Sequence, residues 1–329
     1  MSSGGRATAR AHPNIALVKY WGKRDAQRIL PHQSSLSVTL APLEVVTTVE
    51  FAAAEEAVML HGAPARGKER TRVLDLVERV RREAGRPLGP VQVTSRGNFP
   101  MAAGLASSAA GFAALALALR GAAGLSTDPA SVSRLARVGS GSACRSVQGG
   151  VCIWHRGVRD DGEDSISTQA FAEWHWPELR LLAAVLSRSE KDVSSRDGMT
   201  LTVETSPYYA AWVRDAEAEI GPATEAIARR DLEQLGALSE RNAWRMHATA
   251  LAADPPLCYL LPETLALILA LPTARRRGIP VWFTLDAGPN PVLLTLASHE
   301  GEVERLAREA GATEVVHCRP GGDARLVES

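Results

Sequence analysis

The stretch Asn98-Phe-Pro-Met-Ala-Ala-Gly-Leu-Ala-Ser-Ser-Ala-Ala110 constrains the chain most, because a turn opens there directly into an apolar helix. Pro100 and Gly104 mark the turn, Ser107 and Ser108 stand where the helix begins, and Ala109 to Leu119 carries no charge. A helix starting on such a turn presents unpaired backbone N–H groups and the positive end of its dipole, a site suited to phosphate. Taken alone, the stretch equally fits a buried small-residue helix whose serines are only caps. The rest of the chain has to decide.

A chain of 329 residues with 45% hydrophobic and 22% charged content is long enough for two domains with cores. The formal net charge of +0 gives no global field for nucleic acid or an anionic membrane. The first residues lack the apolar core of a signal peptide, and no apolar run approaches a membrane span. Cys144, Cys152, Cys258 and Cys318 form no CxxC pair and read as reduced thiols. A cytoplasmic enzyme is the expectation. Among 37 basic residues only Lys19, Lys23, Lys68 and Lys191 are lysines, and two of them fall within Lys19-Tyr-Trp-Gly-Lys23. A compact, mobile ammonium in place of an arginine fork is one reading of that pair; chance survival is the other.

Residues 1–10 read as a frayed tail, and Asn14 to Tyr20 as a strand whose Asn14, Lys19, Tyr20 and Lys23 favour a ligand-facing role. Glu44 to Phe51 reads as the next strand. From Glu69 the apolar positions Val73, Val77, Val80 and Ala84 predict a structural helix ending at Gly85. Val91 to Ser95, a strand, then delivers the chain to the Gly104 turn, which is not a GxxxxGK[ST] loop. Asp128 and Pro129 open another helix that stops at Gly139. Gly139-Ser-Gly-Ser-Ala-Cys-Arg-Ser-Val-Gln-Gly-Gly150 reads as flexible backbone carrying an arginine, Arg145, that can grip a carboxylate or phosphate. Leu179 to Leu186 reads as a central strand opening a second domain and feeding a loop at 187–199 that bears Lys191, Ser195 and Arg196. Arg241, Asn242, Arg245, Met246 and His247 lie on a later helix, mostly as solvated or packing residues. The histidines never pair at ligand spacing, which argues against a protein-bound transition metal.

Four segments thus combine glycine or serine backbone with basic residues or a helix start: Lys19–Lys23, Gly104–Ser108, Ser140–Arg145 and Lys191–Arg196. Four anion-competent segments in a neutral chain suggest two polyanionic ligands sharing a cleft, as phosphoryl transfer requires. Asp286, at a strand end before Gly288-Pro289, is the candidate for handling the acceptor's proton; stabilising its own turn is the bland alternative.

Asn14-Ile-Ala-Leu-Val-Lys-Tyr-Trp-Gly-Lys-Arg-Asp25, Ala103-Gly-Leu-Ala-Ser-Ser-Ala-Ala110, Gly139-Ser-Gly-Ser-Ala-Cys-Arg-Ser146 and Asp286-Ala-Gly-Pro-Asn290 together resemble the mevalonate diphosphate decarboxylases. These belong to the GHMP kinase superfamily, and the likeness runs in order from about Ala9 to Val316. The resemblance implies a two-domain α/β (α+β) GHMP-kinase-like fold with the active site in the inter-domain cleft. It assigns residues 1–178 to an N-terminal ATP-binding domain like ribosomal S5 domain 2, and 179–329 to a ferredoxin-like C-terminal GHMP kinase domain. It further implies ATP-dependent conversion of (R)-5-diphosphomevalonate into isopentenyl diphosphate, ADP, phosphate and carbon dioxide. A related decarboxylase of mevalonate 5-phosphate, or a mevalonate 3-kinase that stops after phosphoryl transfer, are the alternatives.

By that resemblance Asp286, Arg145 and Lys19 are catalytic, and Gly104, Leu105, Ala106, Ser107 and Ser108 wrap the ATP phosphates. Ser107 or Ser108 meets the Mg²⁺ that accompanies ATP, while Asn14, Tyr20, Lys23, Ser142, Arg145, Ser195 and Arg196 bind substrate. Partners are a small-molecule substrate and a second copy in a homodimer, with no nucleic acid and no membrane. Two positions depart from the pattern: His32-Gln33 replaces an asparagine-containing pair, and Met101 replaces a small or hydroxylic residue.

Overall fold

The computed structural model of the chain describes residues 5–99, 107–189 and 192–327. Its first strands are β1 (Arg6–Ala11), β2 (Asn14–Val18), β3 (Lys23–Asp25), β4 (Leu30–Pro31) and β5 (Ser35–Ala41). β6 (Val45–Phe51), β7 (Ala57–Leu60) and β8 (Ala63–Pro64) lead to helix α1 (Gly67–Ala84) and then β9 (Val91–Gly97). Helices α2 (Ser107–Ala123) and α3 (Pro129–Gly139) follow, with a 3-10 turn over Gly141–Ser146. Strands β10 (Val151–Trp154), β11 (Ser167–Phe171) and β12 (Leu179–Val185) precede helices α4 (Ser195–Thr205), α5 (Tyr209–Ala218) and α6 (Ile220–Ala228). The chain ends with α7 (Leu232–Leu251), α8 (Pro262–Arg276), β13 (Trp282–Thr284), β14 (Val292–Leu296), α9 (Glu300–Glu309), β15 (Glu314–Pro320) and β16 (Arg325–Val327).

β6 and β9 alternate buried and more accessible residues, as strands with one face on a core do. They lie in a six-stranded sheet of order β16-β1-β6-β9-β7-β8. α2 packs on this sheet and is buried from Phe112 through Arg120, because alanine and leucine leave it no polar face. Arg120 within it survives burial by pairing with Glu83 at 2.8 and 2.9 Å. α1 turns Val73, Leu76, Val77 and Val80 inward and stops at Gly85 in the left-handed conformation, φ 62°. Asp128 caps α3 by accepting from the Ser131 N–H, with Pro129 in the first turn.

The second sheet has the order β11-β10-β5-β15-β12-β14-β13, with β2 added to β5. β12 is buried on both faces apart from Arg180, as expected of a central strand. β15 joins β5 through Arg319–Ala41 and Pro320–Leu40, so strands from both ends of the chain share one sheet. β16 then returns to pair with β1.

Three local expectations are corrected. Residues 6–11 are not frayed: their weak strand propensity is overridden by antiparallel pairing with both β6 and β16. Residues 195–199 are not loop but the start of α4, capped by Ser194, which accepts from the Asp197 N–H. The glycine- and serine-rich 139–150 segment is not loose, since Ala143, Cys144, Arg145 and Ser146 are buried in the 3-10 turn.

Candidate active site

β2 loses register with β5 between Ala16 and Val18, a bulge that places two residues opposite one. The Ala16 carbonyl there accepts from Thr284 Oγ1 and from Lys19 Nζ, each at 2.7 Å. The strand ends at once, and Lys19 folds its side chain into the interior, where only 1% of it is exposed. Its ammonium lies 2.7 Å from Asp286 Oδ1. Asp286 follows β13, and its side chain stays 36% exposed. Burial pulls the Lys19 pKa below the usual lysine value, the Asp286 carboxylate opposes that shift, and the Arg145 cation adds to it.

Arg145 is buried in the 3-10 turn and donates from Nε to Asn14 Oδ1 at 3.2 Å and from Nη1 to Ser35 Oγ at 2.7 Å. Its Nη2 takes no hydrogen bond among the described residues. Asn14 in turn donates from Nδ2 to the Ser142 carbonyl at 3.0 Å and to Ser146 Oγ at 2.7 Å. Asn14 and Ser142 therefore meet the site through Arg145's turn, with the Asn14 side chain spent on protein partners. Tyr20 packs edge-on to Trp154 at 4.6 Å, and its buried hydroxyl has no partner among the described residues. Burial raises its pKa, so the phenol keeps its proton and remains a donor. Gly141 makes room for it, since a Cβ there would lie 2.8 Å from the Tyr20 ring.

A second group of cations gathers where α4 meets the segment after Trp21. Gly22, at φ +100°, lies under the Tyr209 hydroxyl and Val203 of α4, which a Cβ would meet at 1.9 and 2.8 Å. Lys23 is thereby set beside Arg196, at the start of α4 next to Ser195. Its pKa is pushed down to about 8, first by burial and then by the Arg196 and Arg72 charges, against the pull of Asp197. Arg72, on a helix read as structural, joins this group. It donates to the Gly139 carbonyl from Nε at 3.2 Å and Nη2 at 2.6 Å, and lies 4.4 Å over the Phe112 ring.

Ser107 and Ser108 occupy the first turn of α2, where no acidic residue stands, and Ser108 Oγ lies 3.5 Å from Ser140 Oγ. Gly104, Leu105, Ala106, Met101 and Lys191 lie outside the described residues. A cavity of about 100 Å³ opens beside the two serines, lined among others by Val45, Thr47, Leu60, Arg72, Phe112 and Leu115. Its lining is mostly apolar with a few polar groups, the character of a small-molecule pocket.

The departing pair His32-Gln33 is also placed. His32 packs on Tyr209 at 5.4 Å, and the buried Gln33 donates to the Lys19 carbonyl at 3.3 Å. Two residues read as helix filler stand at the site instead. Asn242 is fully buried and accepts the Lys19 N–H at 2.8 Å. His247 is buried against the Lys19–Asp286 pair, its pKa lowered to about 4 by burial and then by the Lys19 charge, so it is neutral at physiological pH. The signal was present: Leu235, Leu238, Asn242 and Met246 form one buried stripe of α7, and the asparagine interrupts it.

Two family models match the chain: the diphosphomevalonate decarboxylase-like N-terminal domain over residues 11–167 and the mevalonate 5-diphosphate decarboxylase C-terminal domain over residues 181–316. The diphosphomevalonate decarboxylase of Bos taurus is 41% identical over 325 residues, covering 92% of this chain and 80% of that protein. A solved structure described as "Mevalonate diphosphate mediated ATP binding mechanism of the mevalonate diphosphate decarboxylase from Enterococcus faecalis" superposes with TM-score 0.91 at 39% identity, covering 99% of each chain. Another, described as MDDEF in complex with MVAPP, AMPPCP and magnesium, gives TM-score 0.91 at 40% identity over 99% of each chain. The two-domain GHMP-kinase-like fold is thus that of solved relatives. The chain belongs to the diphosphomevalonate decarboxylase family.

Proposed function

We propose that the cleft converts (R)-5-diphosphomevalonate into isopentenyl diphosphate, with ATP converted into ADP and with phosphate and carbon dioxide released. The observation that carries this reading is the Lys19–Asp286 pair, a buried cation holding a carboxylate that faces outward. Asp286 takes or orients the proton of the substrate's tertiary hydroxyl, and Lys19 fixes its orientation through a charge-assisted bond. Phosphate then departs with the C3–O electron pair, and the C–C pair of the neighbouring carboxylate forms the alkene as carbon dioxide leaves. Once the proton has passed to the phosphate oxygens, the Asp286 carboxylate, again an anion, stabilises the positive charge that develops at C3. Arg145 turns its remaining guanidinium edge to the substrate carboxylate. Tyr20, Lys23, Ser195 and Arg196 bind the diphosphate, a role supported by the unpaired Tyr20 hydroxyl and by the proximity of Lys23 to Arg196.

ATP with Mg²⁺ supplies the phosphoryl group that makes the hydroxyl a leaving group. The donors at the α2 start, the Ser107 and Ser108 hydroxyls, are hard neutral oxygens that suit an ion carried in on nucleotide phosphates. Among the described residues no cluster of histidine, cysteine, aspartate or glutamate would hold a metal by itself. In this reading the cavity beside the serines takes the nucleoside. A homodimer is part of the proposal, supported by Leu265 and Leu269, exposed one turn apart on α8, with Leu261 exposed at its N-cap. A cytoplasmic location is supported by the four free cysteines.

The test incubates the protein with ATP and Mg²⁺ and, in parallel, mevalonate, its 5-phosphate or its 5-diphosphate. Carbon dioxide and phosphate released in equal amounts from the 5-diphosphate are expected. ADP with a stable phosphorylated mevalonate and no carbon dioxide overturns the reading.

A further inference from the structure

Lys19 is the first residue beyond β2, so the β2–β5 ladder no longer fixes its backbone. Side chains do so instead, from opposite sides. Gln33 Nε2 donates to the Lys19 carbonyl at 3.3 Å, and Asn242 Oδ1 accepts the Lys19 N–H at 2.8 Å. Asn242 is itself oriented, because its Nδ2 donates to Glu219 Oε2 at 2.6 Å. Glu219 Oε1 receives Arg241 Nε at 2.9 Å and Arg245 Nη1 at 3.1 Å, and Arg245 also reaches Asp215 at 3.4 Å. Asn242 is 0% exposed and Glu219 6%, whereas the two arginine side chains are 49% and 41% exposed.

A buried carboxylate held by two cations has only acceptors to offer. It therefore dictates which end of the Asn242 amide turns toward it, and the amide oxygen is left facing Lys19. The chain of bonds runs from the surface of α7 to the residue whose ammonium holds Asp286. Helix packing alone would be served as well by an apolar side chain at position 242, with no buried polar group to satisfy.

We infer that Asn242 and Glu219 are positioning residues, which set the Lys19 backbone so that its ammonium meets Asp286. The inference rests on the decarboxylase reading for its kinetic consequence, not for its geometry.

The test exploits the direction of the bonds. N242D keeps an acceptor for Lys19 but sets two carboxylates face to face; N242D/E219Q places a donor at position 219 and reverses the relay. N242D is expected to lower kcat about 10–100-fold, the scale of a misplacement near 1 Å, with KM for ATP within about twofold. N242D/E219Q is expected to regain most of that loss, a recovery that generic destabilisation does not produce. Amide hydrogen exchange across residues 17–21 provides a readout independent of turnover, with protection lost in N242D and regained in the double variant. If N242D does not fold, N242L, which fills the site but accepts nothing from Lys19, replaces it and should show the same loss of kcat and protection. Unchanged kcat per folded protein with unchanged exchange overturns the inference, as does a loss that E219Q leaves unrepaired. Wild-type protein that releases no carbon dioxide defeats the decarboxylase reading instead, and the exchange arm still judges the positioning.

Discussion

Lys19 Nζ and Asp286 Oδ1 lie 2.7 Å apart across 267 residues of sequence, the lysine side chain buried and the aspartate side chain about one third exposed. The asymmetry decides what each can do. A fully desolvated ammonium cannot meet substrate without leaving its pocket, so its work is done on the carboxylate. The carboxylate keeps an open side while its orientation is fixed by the lysine beneath it. Removing either partner leaves the other in a setting built for a pair.

Asp286→Asn is accordingly expected to reduce kcat by about 10²–10⁴-fold, the usual worth of a positioned acid or base, while equilibrium ATP binding stays within a few fold. Lys19→Met should lower kcat as well, and the double variant should lose much less than the product of the two single losses. Single-turnover carbon dioxide release measures all three. Near-normal turnover by Asp286→Asn removes its assigned role, and strictly multiplicative losses remove the coupling.

Lys23 makes the pH dependence specific. Its pKa of about 8 lies below the ordinary lysine value, so the side chain is cationic below pH 8 and neutral above it. In its proposed role Lys23 binds the diphosphate as a cation. The profile of kcat/KM for the 5-diphosphate, which reports free-enzyme groups, should therefore be level up to about pH 8 and fall beyond it, approaching tenfold per pH unit. Lys23→Arg keeps its charge throughout, so the limb should move out of the measured range. The same limb in Lys23→Arg would assign it to another group.

The parts of the site that lie within single short stretches were legible in the sequence: Lys19 to Lys23, Ser142 to Arg145 and Asp286 each sit in a segment whose composition is anomalous for plain packing. What was not legible comes from elements whose local pattern is already explained by something else. Arg72 sits beside Val73 on a helix that reads as an ordinary amphipathic one, and only the fold carries it to Lys23 and Phe112. Asn242 shows only as a polar break in the apolar stripe of α7, and for His247 burial rather than spacing separates it from Arg241 and Arg245. β1 was unreadable because its stability lies in two partner strands, one of them more than 300 residues away. The union of both chain halves in one sheet likewise rests on the two residue pairs between β15 and β5, which no local window contains.

Arg145 should resist even conservative replacement. It bridges Asn14 Oδ1 and Ser35 Oγ through two different nitrogens, a span that one ammonium cannot reproduce. Arg145→Lys is expected to lose about 1–3 kcal/mol of stability, from at least one buried acceptor left without its donor. It should also lower kcat/KM for the 5-diphosphate by more than tenfold. Chemical denaturation and initial rates check the two effects, and retention of both stability and rate would show that the fork geometry is immaterial.

The placement of α4 yields a steric test with a built-in reversal. A Cβ at Gly198 would lie 2.1 Å from the Tyr259 hydroxyl, so Gly198→Ala must push the helix away and move Ser195 and Arg196 with it. KM for the 5-diphosphate should rise several-fold, with KM for ATP changing less. The Tyr259 hydroxyl has no partner among the described residues, so Tyr259→Phe alone should cost little. Combining the two removes the clashing oxygen and leaves Leu257 Cδ1 at 3.3 Å and Tyr259 Cζ at 3.4 Å as the nearest atoms, a tight but adjustable contact. The double variant should recover the wild-type KM. It should also be at least as stable as wild type, because alanine in a helix interior is favoured over glycine by about 0.5–1 kcal/mol. A KM that stays raised in the double variant would mean that Gly198 is required for something other than the approach of Tyr259.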